Sequence, residues 1–199
     1  MYNGENHRNF SEPAAVKAFY DQIRDGVMAT TAAANPDDWA QQMISALEAG
    51  RDVLVIAFSS GLSTTYQSAV IAAKDLQEEY PQRKIIVIDS LAAALGQGLL
   101  VYHACRKRDE GMGIEELAAW VEQNKLNLCH WVTVDDLTHL KRGGRISATS
   151  AIVGSMLNIK PIIHVDNDGH LINTAKVRGR KAAMDYLTKK FTETCTDFD

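Results

Sequence analysis

The clearest chemistry in this 199-residue chain belongs to a hydroxyl-rich segment, SSGLSTT at residues 59–65. It follows an apolar run that is typical of a strand buried on both faces of a parallel sheet, and a helix is predicted directly after it. Ligands of open α/β sheets bind at the carboxyl ends of the strands, and the N–H groups of a helix N-terminus favour an anion. The segment is therefore a candidate anion site, with hydroxyl donors at Ser59, Ser60, Ser63 and Thr64.

The same segment has a purely structural interpretation. Ser63 or Thr64 would then only cap the following helix, with Gln67 completing a Thr-x-x-Gln capping box. The spacing fits neither a G-x-S-x-G nucleophile elbow nor a Walker A loop. A small-molecule enzyme using residues 59–65 would need a general base near Ser63, and the sequence places no histidine there. Anion binding, helix capping and catalysis remain alternatives at this point.

Two further loops carry groups that bind ligands or partners. Thr30 and Thr31 lie among small residues between two predicted helices, where they either donate to a ligand or satisfy local backbone groups. The turn at residues 141–145, KRGGR, surrounds two glycines with three cations. It suits a phosphate or an acidic patch on a partner, and the alternative is a solvated turn.

Charged residues at the ends of other elements form the remaining candidates. Arg178 and Arg180 place positive charge at the start of a predicted helix, where cations are disfavoured. Cations at this unfavourable position indicate a binding site or an interface, and the alternative is a solvated charged face. Asp89 ends a predicted strand, and we expect it either to cap the next helix or to orient neighbouring hydroxyls.

Composition narrows the classes of function. Twenty-one basic against 25 acidic residues, a net charge of −4, argue against a nucleic-acid-binding protein. The scattered cysteines and histidines match no metal-ligand spacing, so we expect no metal. No apolar run is long enough to cross a bilayer, and no secretory leader opens the sequence. These features predict a cytoplasmic protein without stable membrane insertion.

The elements that must position these groups alternate as in βαβ units. Apolar runs predict strands within residues 52–59 and 84–90 and helices over about 64–79, 91–108 and 114–125, typical of a parallel sheet. The pattern changes near residue 126. The rest predicts strands at 128–134 and 160–165, an apolar helix at 146–157, a hairpin turn at 166–169 and a last helix at 178–194. We predict an α/β fold with a parallel-sheet domain over residues 1–126 and a smaller α/β domain over 127–199.

Four segments of this chain, taken in order, resemble the DegV family. FSSGLSTTYQSA at residues 58–69 is similar to that family's SSGLSGTYxSA signature. VDDLTHLKRGGRISATSAIVGSMLNIKPII at 134–163 is similar to its D-L-x-x-L-x-x-G-G-R-I segment and the helix and strand that follow. DGHL at 168–171 and KVRGRKAA at 176–183 complete the order. The resemblance extends from about residue 11 to the end.

The resemblance implies a binding protein of two α/β domains with a long-chain fatty acid between them, and neither a cofactor nor catalysis by the chain itself. It places the fatty acid carboxylate on Thr31 and Ser63 and the acyl chain against the helix after the GGRI turn. The residues that we expect to bind ligand are Thr31, Ser60, Ser63, Thr64, Ile152 and Met156. Burial of each methylene contributes about 0.8 kcal/mol, so the acyl chain would supply most of the affinity.

The resemblance also implies a partner. Family members act with a separate kinase subunit that phosphorylates the bound fatty acid to an acyl-phosphate, and Arg178 and Arg180 resemble the surface used towards it. Hydroxyls and helix N–H groups suit a carboxylate that must react further better than a bidentate arginine does.

The chain departs from the family pattern in two respects. Its loop reads TTAAAN, with alanines at positions 32–34, where the family has TTSQP. The family's opening strand with an Asp-Ser pair and its closing H-x-G-P-G segment have no counterpart, so we expect a chain truncated at both ends.

Overall fold

Helices and strands alternate along the chain in the computed structural model, which describes residues 12–147 and 158–196. The chain divides into two compact units, Met1–Ala33 and Ala34–Asp199. The first contains helix α1 (Pro13–Arg24), with proline in its first turn and Glu12 at the N-cap position. Thr31 follows α1 in a segment without regular structure.

The second unit opens with a helix that has a proline in its first turn. The elements in chain order are α2 (Pro36–Glu48), β1 (Val53–Ala57), α3 (Thr65–Glu79), β2 (Ile85–Asp89), α4 (Ala94–Asp109), α5 (Ile114–Asn124), β3 (Trp131–Thr133), α6 (Thr138–Arg142), β4 (Ile159–Val165), β5 (Leu171–Arg178) and α7 (Arg180–Thr194). A reciprocal capping box begins α2: the Asp38 N–H donates to Asn35 Oδ1 at 2.8 Å, and the Asn35 N–H donates to the Asp38 carboxylate.

Strands β1 and β2 pair in parallel, with Val53 opposite Ile85 and Ala57 opposite Asp89. Alternate side chains of β1 enter two separate cores, because successive residues of a strand point to opposite faces. Val55 and Ala57 pack with helices α2 and α3, whereas Leu54 and Ile56 pack against α4 and α5. Helices on both faces confirm the predicted parallel α/β architecture.

Strands β3, β4 and β5 form a separate antiparallel sheet in that order. Its buried core includes Leu137, Ile146 and Ile163. The β4–β5 hairpin closes through the predicted turn at residues 166–169, where the Asp166 N–H donates to the His170 carbonyl and the Gly169 N–H to the Asp166 carbonyl. The two sheets lie on either side of residue 126 and share no strand among the described residues; the domain boundary there stays a prediction.

One predicted helix starts later in the structure, and another lies mostly outside the described residues. Helix α4 begins at Ala94, not near Leu91, because both residues have positive φ, 48° and 51° respectively, which a continuous right-handed helix excludes. Most of the predicted apolar helix at 146–157 lies outside the described residues. Within the described ranges, none of the helices combines the length and the apolar character that crossing a membrane requires.

Candidate ligand-binding loop

The hydroxyl-rich segment forms a turn between β1 and α3, at the carboxyl edge of the parallel sheet. The N–H groups of Leu62 and Ser63 both donate to the Ser59 carbonyl, at 3.1 and 3.2 Å. Ser59 is fully buried, its N–H donates to the Ala92 carbonyl, and Ser60 is half-buried. Backbone hydrogen bonds therefore fix the turn at Ser59 and at Ser63, and its hydroxyls project from this fixed backbone.

The N-terminus of α3 carries a pair of bonded hydroxyls. Ser63 Oγ accepts the N–H of Thr65 at 3.2 Å and lies 2.8 Å from Thr65 Oγ1, where either oxygen can donate. Thr64 occupies the N-cap position but its side chain makes no capping bond. Of the two residues considered for capping, Ser63 accepts a first-turn amide, whereas the Thr-x-x-Gln capping box at Thr64 is not formed.

A carboxylate joins this turn to the end of the neighbouring strand. Asp89 Oδ1 accepts the N–H groups of Ser60 and Leu91, each at 3.1 Å. Of the two predicted roles for Asp89, neither is observed: it does not cap α4, and it binds backbone amides rather than hydroxyls. Its carboxylate links the two loops that follow β1 and β2.

The β4–β5 hairpin contacts the same turn from the other sheet. Ser59 Oγ donates to the Gly169 carbonyl at 2.9 Å and accepts the Gly61 N–H at 3.2 Å. Asp166 Oδ1 in this hairpin accepts the N–H groups of Asp168 and His170. Asp166, Asp168 and His170 each have a side-chain atom that could bind a metal ion, and these atoms lie within 4.8 Å of one another. The hydrogen bonds of the turn already explain the position of the Asp166 carboxylate.

Cations beside the turn donate to protein carbonyls. Arg145 Nε donates to the Leu62 carbonyl at 3.1 Å, which connects the predicted basic turn to the hydroxyl-rich segment. Lys125 Nζ donates to the Asp89 carbonyl at 3.0 Å and lies 2.6 Å from the Glu122 carboxylate. These cations stabilise the loop backbone through its carbonyl groups.

The other predicted site residues lie elsewhere in the chain. Thr31 is exposed and belongs to the first compact unit. Arg178 was predicted at the start of the last helix, but it ends β5, because the strand pairing continues to this residue and α7 begins only at Arg180. Both arginines are exposed, on either side of Gly179. Ile152 and Met156 lie outside the described residues.

Sequence reasoning missed some residues that shape the loop. Thr65 was not distinguished from Thr64, although a Ser-x-Thr spacing at a helix start is a usable signal for a bonded hydroxyl pair. The contact between Ser59 and Gly169 joins positions 110 residues apart, and no local pattern predicts such a contact.

Comparisons with known proteins agree on one family. The family model described as "Uncharacterised protein, DegV family" matches residues 4–198. A DegV domain-containing protein from Clostridium perfringens is 45% identical over 185 residues, which cover 93% of this chain and 64% of that relative. The chain therefore spans less than two thirds of that relative's length.

Two solved structures that are similar to this chain belong to proteins described as binding or carrying a fatty acid. A fatty-acid-binding DegV family protein from Thermus thermophilus is 32% identical with a TM-score of 0.79, over 96% of this chain and 66% of that one. The fatty acid kinase (Fak) B3 protein from Streptococcus pneumoniae, loaded with linoleic acid, is 25% identical with a TM-score of 0.77, over 87% of this chain and 62% of that one. These neighbours confirm the predicted fold.

Proposed function

This chain belongs to the DegV family, and from that premise we propose that it binds a long-chain fatty acid and presents the carboxylate to a partner kinase. The observation that carries the proposal is the Ser63 hydroxyl at the N-terminus of α3. It stands at the edge of the parallel sheet where ligands of α/β folds bind. Fatty acids bound by solved members of the family supply the class of ligand.

The bonding around Ser63 suits a hydroxyl that donates to an anion. A serine hydroxyl has one hydrogen and two acceptor positions. When Thr65 Oγ1 donates to Ser63 Oγ, the Thr65 N–H and Thr65 hydroxyl together fill both acceptor positions. The Ser63 hydrogen then has a carboxylate oxygen as its natural acceptor. The dipole of α3 adds a favourable field at the same point.

The remaining ligand contacts are proposed from the family pattern. Ser60 and Thr64 lie on either side of Ser63 in the turn, and the Thr64 side chain makes no capping bond in the described part of the chain. Thr31 would supply a second hydroxyl to the carboxylate. Ile152 and Met156 would line the acyl chain.

We propose a binding subunit rather than an enzyme. Ser63 Oγ has a threonine hydroxyl as its side-chain partner, and a hydroxyl is not a general base at neutral pH. The kinase subunit would approach the exposed Arg178 and Arg180, and the encounter would take place in the cytoplasm. Arg180 in the first turn of α7 opposes the helix dipole, and a negatively charged partner surface would offset this cost.

The first experiment measures the affinity for a long-chain fatty acid and for its methyl ester. We expect Ser63→Ala and Thr31→Ala each to weaken acid binding by about 10- to 150-fold, the equivalent of one hydrogen bond to a charged group. Ester binding should change little, because the acyl contacts are retained. Ser45→Ala, an exposed serine on α2, is the matched control. Unchanged acid affinity in both variants would contradict the site assignment.

The second experiment concerns the kinase. The double variant Arg178→Ala/Arg180→Ala should retain fatty acid affinity and lose kinase-dependent acyl-phosphate formation. Lys189→Ala removes an exposed cation further along α7 and serves as the control. If the fatty acid bound to the double variant and to the control is phosphorylated equally, the proposal that these arginines contact the kinase is wrong.

A further inference from the structure

The DGHL hairpin lies against the proposed carboxylate loop although it contributes no hydroxyl to it. The contact centres on Ser59, which is fully buried. Ser59 Oγ donates to the Gly169 carbonyl at 2.9 Å and accepts the Gly61 N–H at 3.2 Å. One hydroxyl thus bonds to both the hairpin and the loop, and burial excludes water as a replacement partner.

The approach at Gly169 is too close for any side chain. Its φ is +78°, and a Cβ built there would lie 2.0 Å from Ser59 Oγ and 3.2 Å from the Leu91 Cα. A Cβ on Gly61 would in turn lie 2.8 Å from the Asp168 carbonyl oxygen. The hairpin therefore sits between the loops that follow β1 and β2, with backbone against backbone.

The contact continues to the proposed ligand group through one residue. Ser59 binds the hairpin with its hydroxyl, and its carbonyl accepts the N–H groups of Leu62 and Ser63. Any shift of Ser59 that follows a change in the hairpin must move the Ser63 amide with it. The hydroxyl of Ser63 would then point away from the carboxylate position.

We infer that Ser59 and Gly169 are positioning residues for the carboxylate: the β4–β5 hairpin locks the Ser60–Ser63 loop in the conformation that binds the acid headgroup. This inference rests on the proposed function. It assigns a role in headgroup selectivity to a hairpin that belongs to the other sheet, and it requires glycine at position 169 for space as well as for backbone conformation.

The test compares Gly169→Ala with Gly50→Ala. Gly50 is a matched control, because its φ of +71° imposes the same backbone strain on alanine while no atom lies within 4 Å of the added Cβ. Ser59→Ala is the milder second variant, which removes the hydroxyl without adding bulk. For each protein we would measure the affinity for a long-chain fatty acid, the affinity for its methyl ester, and thermal unfolding.

We expect Gly169→Ala to lower the acid-over-ester affinity ratio by about tenfold and Ser59→Ala to lower it by about three- to tenfold. Gly50→Ala should keep the wild-type ratio even where it lowers the unfolding temperature. The double variant Ser59→Ala/Gly169→Ala should lose less than the sum of the single losses, because residues in contact are energetically coupled. A general loss of folding would reduce acid and ester binding equally, so the ratio separates positioning from stability.

A wild-type ratio in Gly169→Ala would overturn the inference while leaving the proposed function in place. A wild-type protein that does not prefer acid over ester would refute the proposed function. Hydrogen exchange of the amides at residues 60–63 then decides the positioning role alone. Faster exchange in Gly169→Ala than in Gly50→Ala supports it, and equal exchange in the two variants overturns it.

Discussion

Replacement of Asp89 tests how the carboxyl edge of the parallel sheet is held. Asp89 Oδ1 accepts two backbone N–H groups, from Ser60 and Leu91, each at 3.1 Å. Leu91 has a φ of +51°, a conformation that a non-glycine residue adopts only when its surroundings impose it. The carboxylate is therefore expected to contribute to stability through both loops at once.

The magnitude follows from the two bonds. A hydrogen bond to a charged group contributes about 1.5–3 kcal/mol, and the half-buried position of Asp89 favours the lower end. We expect Asp89→Ala to lower the free energy of unfolding by about 3 kcal/mol. Asp89→Asn retains an acceptor oxygen of the same shape without the charge, so it should lower it by about 1 kcal/mol.

The assay is urea unfolding followed by circular dichroism, with hydrogen exchange of the Ser60 and Leu91 amides as a local measurement. Asp75→Ala, an exposed carboxylate on α3, is the control and should leave stability essentially unchanged. An Asp89→Ala protein as stable as the wild type would refute the reasoning. Equal losses in the alanine and asparagine variants would show that the acceptor oxygen contributes nothing.

Two further predictions concern the antiparallel sheet and its surroundings. Ile163→Ala should lower the free energy of unfolding by about 2–5 kcal/mol in a urea titration, because Ile163 is fully buried. Ile172→Ala on the next strand should lower it far less, because Ile172 is 43% exposed. Equal losses in the two variants would contradict the core assignment. Burial, and secondarily the charge of His164, lowers the pKa of His130. The unfolded chain, with a histidine pKa of about 6.5, binds this proton at a higher pH than the folded chain does, so stability should fall as the pH drops below about 6.5, by at most about 1.4 kcal/mol per pH unit. His130→Gln should flatten that pH dependence, and an unchanged slope would refute the assignment.

Elements that depend on local patterns were predictable from the sequence. The apolar runs that became β1 and β2 and the Asn35-Pro36 start of α2 needed only neighbouring residues, because period and capping are local properties. The start of α4 was not predictable. Residues 91–95, LAAAL, favour helix by composition, yet the Ser59 N–H donates to the Ala92 carbonyl and a tertiary contact thus overrides propensity.

The hydroxyl-rich sequence was sufficient to locate the candidate loop, but the residues that hold the loop in place could not be predicted. The order strand, serine-rich turn, helix specifies a sheet edge, which is sufficient to place Ser63 at a helix N-terminus. The positions of Asp89, Arg145 and Gly169 around that turn depend on which loops meet in three dimensions. Spacing along one chain contains no information on such contacts. Only the family resemblance grouped the hydroxyl-rich segment, the basic turn and the hairpin as parts of one family pattern.

The charge distribution around the loop bears on why hydroxyls would hold the headgroup. Arg145 and Lys125 both direct donors at loop carbonyls, at 3.1 and 3.0 Å. A carboxylate held by these cations would be stabilised in its ionised form and made a poorer nucleophile towards a phosphoryl group. Neutral donors such as Ser63 lower the desolvation penalty of the carboxylate with less loss of reactivity. Because Arg145 and Lys125 bond to backbone carbonyls and the Asp89 carboxylate bonds to backbone amides, Ser63 is a neutral donor at this edge of the sheet, which suits the proposed delivery of the acid to a kinase.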